Sequence, residues 1–133
     1  MAIRVFFPGN KKVYAEQNGF IIQTDQPVGG GGDGSAPAPF ELFLASIATC
    51  GGIYVKGFCD SRGIPADNIE LIQNLKYDPI QQKVSEINIK ISVPKDFPEK
   101  YYDALVKSVN QCAVKKAIFD PPSFNVYTEA RAD

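Results

Sequence analysis

The sequence contains no histidine among its 133 residues. This absence excludes Ser-His-Asp and Cys-His catalytic groups in their usual forms, and every metal site that is built on imidazole. Cysteine is scarce as well, with Cys50, Cys59 and Cys112 and no CxxC pair, so we expect no four-ligand zinc site within one chain. Any chemistry must therefore use thiols, carboxylates, lysines or tyrosines, and we expect neither a metal nor an organic cofactor.

Net charge and long hydrophobic runs are also lacking. Lys and Arg number 14 against 15 Asp and Glu, whereas binding to nucleic-acid phosphates needs a basic excess. No apolar signal segment precedes a small-residue cleavage site at the N-terminus. The most apolar stretch, Leu42 to Val55, is shorter than the roughly 20 residues of a membrane span. We predict a cytoplasmic protein with reduced thiols and with no nucleic-acid or membrane partner.

The spacing of apolar residues predicts one α+β domain over residues 1–133, without internal repeats. Alternation over residues 3–7, together with the type I′ hairpin dipeptide Asn18-Gly19, predicts an N-terminal antiparallel meander. The segment from Phe40 to Cys59 is apolar nearly all round, which indicates a helix buried on most faces. The remaining predicted elements are a β-hairpin over residues 69–93, a second helix from Pro98 that carries Cys112 and breaks near Asn110-Gln111, a short helix over 113–119 and a closing strand from Phe124 to Thr128.

A glycine-rich loop lies between Val28 and Pro39 and matches GxGxxG by letter. A dinucleotide-binding loop joins a strand directly to a helix inside a βαβ unit, and neither condition holds for this loop. We interpret it as a mobile loop of the kind that covers a binding site, and we interpret Asp25 and Asp33 as solvated loop acids.

The three cysteines can form only certain pairs. Cys50 and Cys59 lie nine residues apart on one predicted helix, about 180° apart around it and roughly 13 Å apart along it. Disulfide geometry needs Cα atoms within about 7 Å, so only Cys112 is available to either. Cys50 lies mid-helix among small residues, which favours Cys50 over Cys59 as the partner of Cys112. Each thiol can equally be a buried small hydrophobe without a redox role.

Two segments resemble the motifs of the OsmC/Ohr family, the osmotically inducible and organic hydroperoxide resistance proteins. Pro39-Phe40-Glu41-Leu42 through Ala48-Thr49-Cys50 resembles the family's first cysteine helix. Val109-Asn110-Gln111-Cys112 through Ile118 resembles its second cysteine motif, at a helix break. The resemblance extends over essentially the whole chain, including the meander and the glycine-rich loop, and the two motifs occur in the family's order.

This resemblance implies an intertwined homodimer with the two long helices at its centre and the sites at the subunit interface. It implies thiol-dependent reduction of organic hydroperoxides as part of the oxidative stress response. Cys50 would be the thiolate that becomes a sulfenic acid, and Cys112 the resolving thiol. A dithiol such as dihydrolipoamide, or a small thiol, would reduce the resulting disulfide.

The chain departs from the family pattern beside the first motif's proline. Active members carry a glutamate there, which pairs with an arginine from the N-terminal sheet and activates the thiolate. This chain has Phe40 in that position, and Glu41 lies about 100° further round the helix. Without a nearby cation we expect burial to raise the pKa of Cys50 and to weaken the activity. The candidates for the missing cation are Arg4, Lys11, Lys12 and Arg62.

Two functions therefore remain open at the level of the sequence. One is a hydroperoxide reductase, in which Phe40, Phe43 and Tyr54 line an apolar substrate pocket and Glu41 supports the thiolate. The alternative is a non-catalytic, small-molecule-binding dimer that has lost thiolate activation, with Glu41 only a favourable acid in the first helical turn. A hydrolase is disfavoured because histidine and a GxSxG motif are both missing. The role of Cys59 is open.

Overall fold

The computed structural model describes residues 2–132 of the chain. These residues form two compact units, one ending at Ser46 and the other beginning at Ile47. The boundary falls within a long helix.

The first unit contains a three-stranded antiparallel meander. The strands are β1 (Arg4–Gly9), β2 (Lys12–Gln17) and β3 (Phe20–Thr24), in the order β1-β2-β3. The turn between β2 and β3 has positive φ at both Asn18 and Gly19, 51° and 82°, as a type I′ hairpin requires. The predicted meander is confirmed.

Helix α1 (Pro39–Asp60) begins where proline is well tolerated, at the first helical position. The Glu41 carboxylate accepts a hydrogen bond from the Ala38 amide at 3.2 Å, which satisfies an amide beside the helix start. The helix is followed by Gly63, whose φ of 65° suits a chain reversal that residues with a Cβ rarely adopt. Local signals thus account for both ends of α1.

One face of α1 is buried within the second unit, by Ile47, Gly51, Val55, Phe58 and Cys59. Among the described helices only α1 is long and apolar enough to cross a bilayer, but its buried face forms the core of this unit. The prediction of a helix buried on most faces is wrong for a single chain. The side chains of Phe40, Phe43 and Ile53 are 56%, 41% and 63% exposed, because the described chain does not cover them.

The second unit adds a two-stranded antiparallel sheet and two short helices. They are β4 (Glu70–Asp78), β5 (Lys83–Ser92), α2 (Tyr102–Val109) and α3 (Ala113–Phe119). The core of the unit consists of apolar side chains from α1, from α2 and from the turn before α2: Val55, Phe58, Cys59, Phe97, Leu105 and Val109. This arrangement confirms the predicted α+β class.

Two sequence predictions in the C-terminal third are wrong. Residues 120–132 contain no strand, although we predicted one from Phe124 to Thr128. A strand needs a neighbouring backbone for its hydrogen bonds, and β4 and β5 pair only with each other in the described chain. Cys112 does not belong to the second helix, because α2 ends at Val109 and Cys112 is the N-cap of α3.

Candidate active site

Cys50 and Cys112 lie close enough for their side chains to share a hydrogen bond. Cys50 projects from the middle of α1 and is partly exposed, whereas Cys112 is fully buried at the break between α2 and α3. The Cys112 Sγ also accepts a hydrogen bond from the Lys115 amide at 3.4 Å, so it caps α3 as an N-cap side chain does. The break in the helix therefore brings the second thiol to the first.

The two thiols have pKa values shifted in opposite directions. The pKa of Cys50 is lowered, first by the hydrogen bond that the Cys112 thiol donates to it and then by the backbone amides of Val114 and Ala113, against an opposing effect of burial. The pKa of Cys112 is raised, first by burial and then by the same hydrogen bond. Cys50 therefore ionises first, while Cys112 keeps its proton and uses it to donate the hydrogen bond to Cys50.

This result corrects the expectation that burial would raise the pKa of Cys50 unless a cation lay nearby. The groups that stabilise the Cys50 thiolate are a thiol and two amides at the start of α3. The dipole of Cys50's own helix is weak at mid-helix, but amides at the start of another helix point directly at the sulfur. The sequence motif placed Cys112 near a break, yet it contained no sign that Ala113 and Val114 would donate.

Three of the four basic residues considered as activators contact other groups. Arg4 pairs with Glu16 at 2.7 Å and lies over the Phe6 ring, while Lys12 pairs with Asp33 at 2.6 Å. Lys11 is exposed. Arg62 lies 3.7 Å from the centroid of the Phe58 ring and donates to the Phe58 carbonyl.

Glu41 and the aromatic pair Phe40 and Phe43 occupy the first turns of α1. The Glu41 carboxylate caps the start of the helix, in agreement with its interpretation as a first-turn acid. The Phe40 and Phe43 rings pack on each other with centroids 5.5 Å apart, and both are exposed.

An open groove of about 500 Å³ lies along α1 and α2 in the second unit. Its lining is mostly apolar: Ile53, Tyr54, Gly57, Phe58 and Ser108. Tyr54 lies one helical turn after Cys50, and Gly57 lies two turns after it. The groove therefore runs along the stripe of α1 that begins at Cys50. Tyr54, which the sequence analysis proposed as a pocket residue, is one of the residues that line this groove. The sequence analysis did not predict the other lining residues, Ile53, Gly57, Phe58 and Ser108. The first three lie at positions i+3, i+7 and i+8 from Cys50, a spacing that places them on the same stripe of the helix.

Cys59 has a different environment from the other two cysteines. It is fully buried in the core of the second unit, and its pKa is raised, chiefly by desolvation. A buried thiol that stays protonated is a poor nucleophile. Its surroundings are those of a small core hydrophobe.

The glycine-rich loop of the first unit is organised around Asp25, which is fully buried rather than solvated as predicted. Its carboxylate accepts hydrogen bonds from the amides of Gln26, Asp33 and Ser35 and from the Ser35 hydroxyl. These bonds, led by those from Ser35, lower the pKa of Asp25 to about 2. The carboxylate thus serves as the acceptor for loop amides that have no strand or helix partner. Asp33 is partly exposed and pairs with Lys12.

Within residues 2–132, no three Asp, Glu or Cys side chains lie together in an arrangement that could hold a metal ion.

Comparison with known proteins relates this arrangement to one family. The model of the OsmC family, described as OsmC-like protein, matches residues 32–126, which include both cysteine motifs. No curated protein sequence matches the chain.

Solved structures share the fold at low sequence identity. An osmotic stress-induced and detoxification response protein from Psychrobacter arcticus is 23% identical with a TM-score of 0.73, covering 88% of this chain and 87% of its own. An OsmC-like protein from Mycoplasma pneumoniae is 14% identical with a TM-score of 0.69, over 90% and 87%. An organic hydroperoxide resistance protein from Bacillus subtilis is 21% identical with a TM-score of 0.51, over 88% and 90%.

Proposed function

The chain belongs to the OsmC-like protein family, and we propose that it reduces organic hydroperoxides, with Cys50 as the attacking thiolate and Cys112 as the resolving thiol. Family membership supports a peroxide-resistance or redox role. The observation that carries the finer proposal is the thiol pair itself, in which the pKa of the more exposed sulfur is lowered and that of the buried one is raised.

The first step is attack of the Cys50 thiolate on the outer oxygen of a hydroperoxide ROOH. The O–O bond breaks, an S–O bond forms, and the alcohol ROH leaves after its oxygen takes a proton from solvent. Cys50 is oxidised to a sulfenic acid, and the peroxide is reduced. The hydrogen bonds from Cys112, Val114 and Ala113 increase the fraction of Cys50 present as thiolate.

The second step is attack of the Cys112 sulfur on the Cys50 sulfur. The S–O bond breaks, a disulfide forms, and the sulfenic oxygen leaves as water with the proton from the Cys112 thiol. A dithiol such as dihydrolipoamide, or two molecules of a small thiol, then reduces the disulfide through thiol–disulfide exchange. The apolar groove along α1 and α2, whose lining includes Tyr54 one helical turn after Cys50, suits the organic part of the substrate.

The assembly that we propose is a homodimer in the cytoplasm. OsmC-like proteins are soluble, and α1 exposes large apolar side chains of the kind that a subunit interface covers, Phe40 and Phe43 in the first unit and Ile53 in the second. Light scattering should give twice the chain mass of 14.5 kDa. A mass equal to that of one chain would exclude the dimer.

The test of the redox role is mass spectrometry of the fully reduced protein after one equivalent of cumene hydroperoxide. We expect a loss of two hydrogens within seconds, mapping to a Cys50–Cys112 disulfide. In a Cys112→Ser variant, a Cys50 sulfenic acid should accumulate and react with dimedone. Slow oxidation that reaches Cys59 as readily as Cys50 would contradict the proposal and favour the non-catalytic binding protein.

A further inference from the structure

Gly51, the residue after Cys50, lies at a close approach between α1 and its neighbours. A Cβ placed on Gly51 would lie 3.1 Å from Cγ1 of Val109 and 3.4 Å from Cδ2 of Leu71. The first distance is shorter than ordinary van der Waals contact, so Val109 would have to move. The adjacent Gly52 has no atom within 4 Å of the same position.

Val109 connects this contact to the second thiol. It is the last residue of α2, its side chain is 4% exposed, and its carbonyl accepts a hydrogen bond from the Cys112 amide at 3.3 Å. A buried, β-branched side chain has few alternative rotamers, so it yields by moving its backbone. Displacing Val109 would therefore displace Cys112, whose thiol donates to Cys50.

We propose that Gly51 is a positioning residue for the thiol pair: its lack of a side chain allows the end of α2 to approach α1 closely enough for Cys112 to reach Cys50. The inference rests on the proposed function only in making Cys50 the attacking thiol. The pairing of the two sulfurs can be measured without any peroxide.

The experiment compares Gly51→Ala with Gly52→Ala, both in a Cys59→Ser background that leaves only the two site thiols. Alanine has a higher helix propensity than glycine, and the gain is the same at the two positions. Intrinsic helix propensity therefore cancels from the comparison. The first readout is the equilibrium constant for forming the Cys50–Cys112 disulfide in glutathione buffers. The second is the pH dependence of Cys50 alkylation by iodoacetamide.

Gly51→Ala should lower the disulfide equilibrium constant by about fivefold or more and move the alkylation profile of Cys50 to higher pH, because small displacements are costly in aligned reactions. Gly52→Ala should change neither quantity. Removing the obstructing methyl groups in a Gly51→Ala/Val109→Ala double variant should restore both toward the values of Val109→Ala alone.

A folded Gly51→Ala protein with an unchanged disulfide equilibrium would overturn the inference. If Gly51→Ala does not fold, the double variant decides: values equal to those of Val109→Ala support the positioning role, and a retained loss refutes it. A wild-type protein that forms the disulfide in glutathione but not with hydroperoxide would refute the proposed function, while the role of Gly51 would still be decided by the glutathione measurements.

Discussion

Asp25 in the first unit and Cys50 in the second are both stabilised as anions by backbone amides, but their settings differ. Asp25 is fully buried, and three amides and a hydroxyl surround its carboxylate. Cys50 receives two amides and a thiol and stays partly exposed. The same hydrogen-bonding physics lowers both pKa values. An enclosed anion holds a loop together, whereas an accessible one beside a proton donor is available to react.

The largest expected effect tests whether accessibility makes Cys50 the reactive anion. Cys50→Ser should lower hydroperoxide turnover with a dithiol reductant by about a hundredfold or more, because a hydroxyl does not ionise near neutral pH and cannot replace the thiolate. Cys59→Ser is the matched control, since it alters a thiol on the same helix whose pKa is raised. Equal turnover in wild-type and Cys50→Ser proteins would refute the assignment.

The second prediction tests the enclosure of Asp25. A Cβ on Gly32 would lie 2.0 Å from the Gln26 carbonyl oxygen and 2.8 Å from the Asp25 carboxylate, so Gly32→Ala should lower the free energy of unfolding by roughly 2–4 kcal/mol. Gly29→Ala is the control, because nothing lies within 4 Å of a Cβ there. Chemical denaturation measures both, and equal stabilities would show that the loop is not tightly packed around the carboxylate.

The third prediction follows the charge on Asp25 through pH. Its pKa is about 2 in the folded chain against an ordinary value of 3.8, so the folded state binds this proton less readily than the unfolded state. The stability contributed by the carboxylate is therefore complete above the unfolded value, declines as pH falls below it, and is lost below about pH 2. Asp25→Asn should flatten this part of the curve of unfolding free energy against pH. An unchanged slope between pH 4 and 2 would contradict this account.

The smallest effect tests the thiol hydrogen bond to Cys50. Cys112→Ala removes the donor and should raise the pKa of Cys50, slowing its alkylation at neutral pH several-fold. Cys112→Ser retains a donor and should lie closer to wild type. If both variants alkylate as fast as wild type, the amides of Val114 and Ala113 alone account for the lowered pKa.

Several parts of the fold followed from the sequence because their causes are local. Asn18-Gly19 adopts the positive φ values of its hairpin, and Glu41 caps the helix that Pro39 begins. The prediction of a closing strand over residues 124–128 was wrong because a strand needs hydrogen bonds from a backbone that is distant in sequence, and the local residue pattern cannot supply that partner. The prediction of Asp25 as a solvated acid was wrong for a similar reason. Its amide donors come from an irregular loop, and residue propensities do not predict the conformation of such a loop.

The sequence by itself determined the available chemistry. It has no histidine and three cysteines, and helical geometry excludes a Cys50–Cys59 pair. Only the tertiary structure decided which thiol ionises, because a pKa depends on groups within a few ångströms, whatever their separation along the chain. Cys112, Val114 and Ala113 lie more than 60 positions after Cys50, yet they lower its pKa, whereas Cys59, nine positions away, has a raised one.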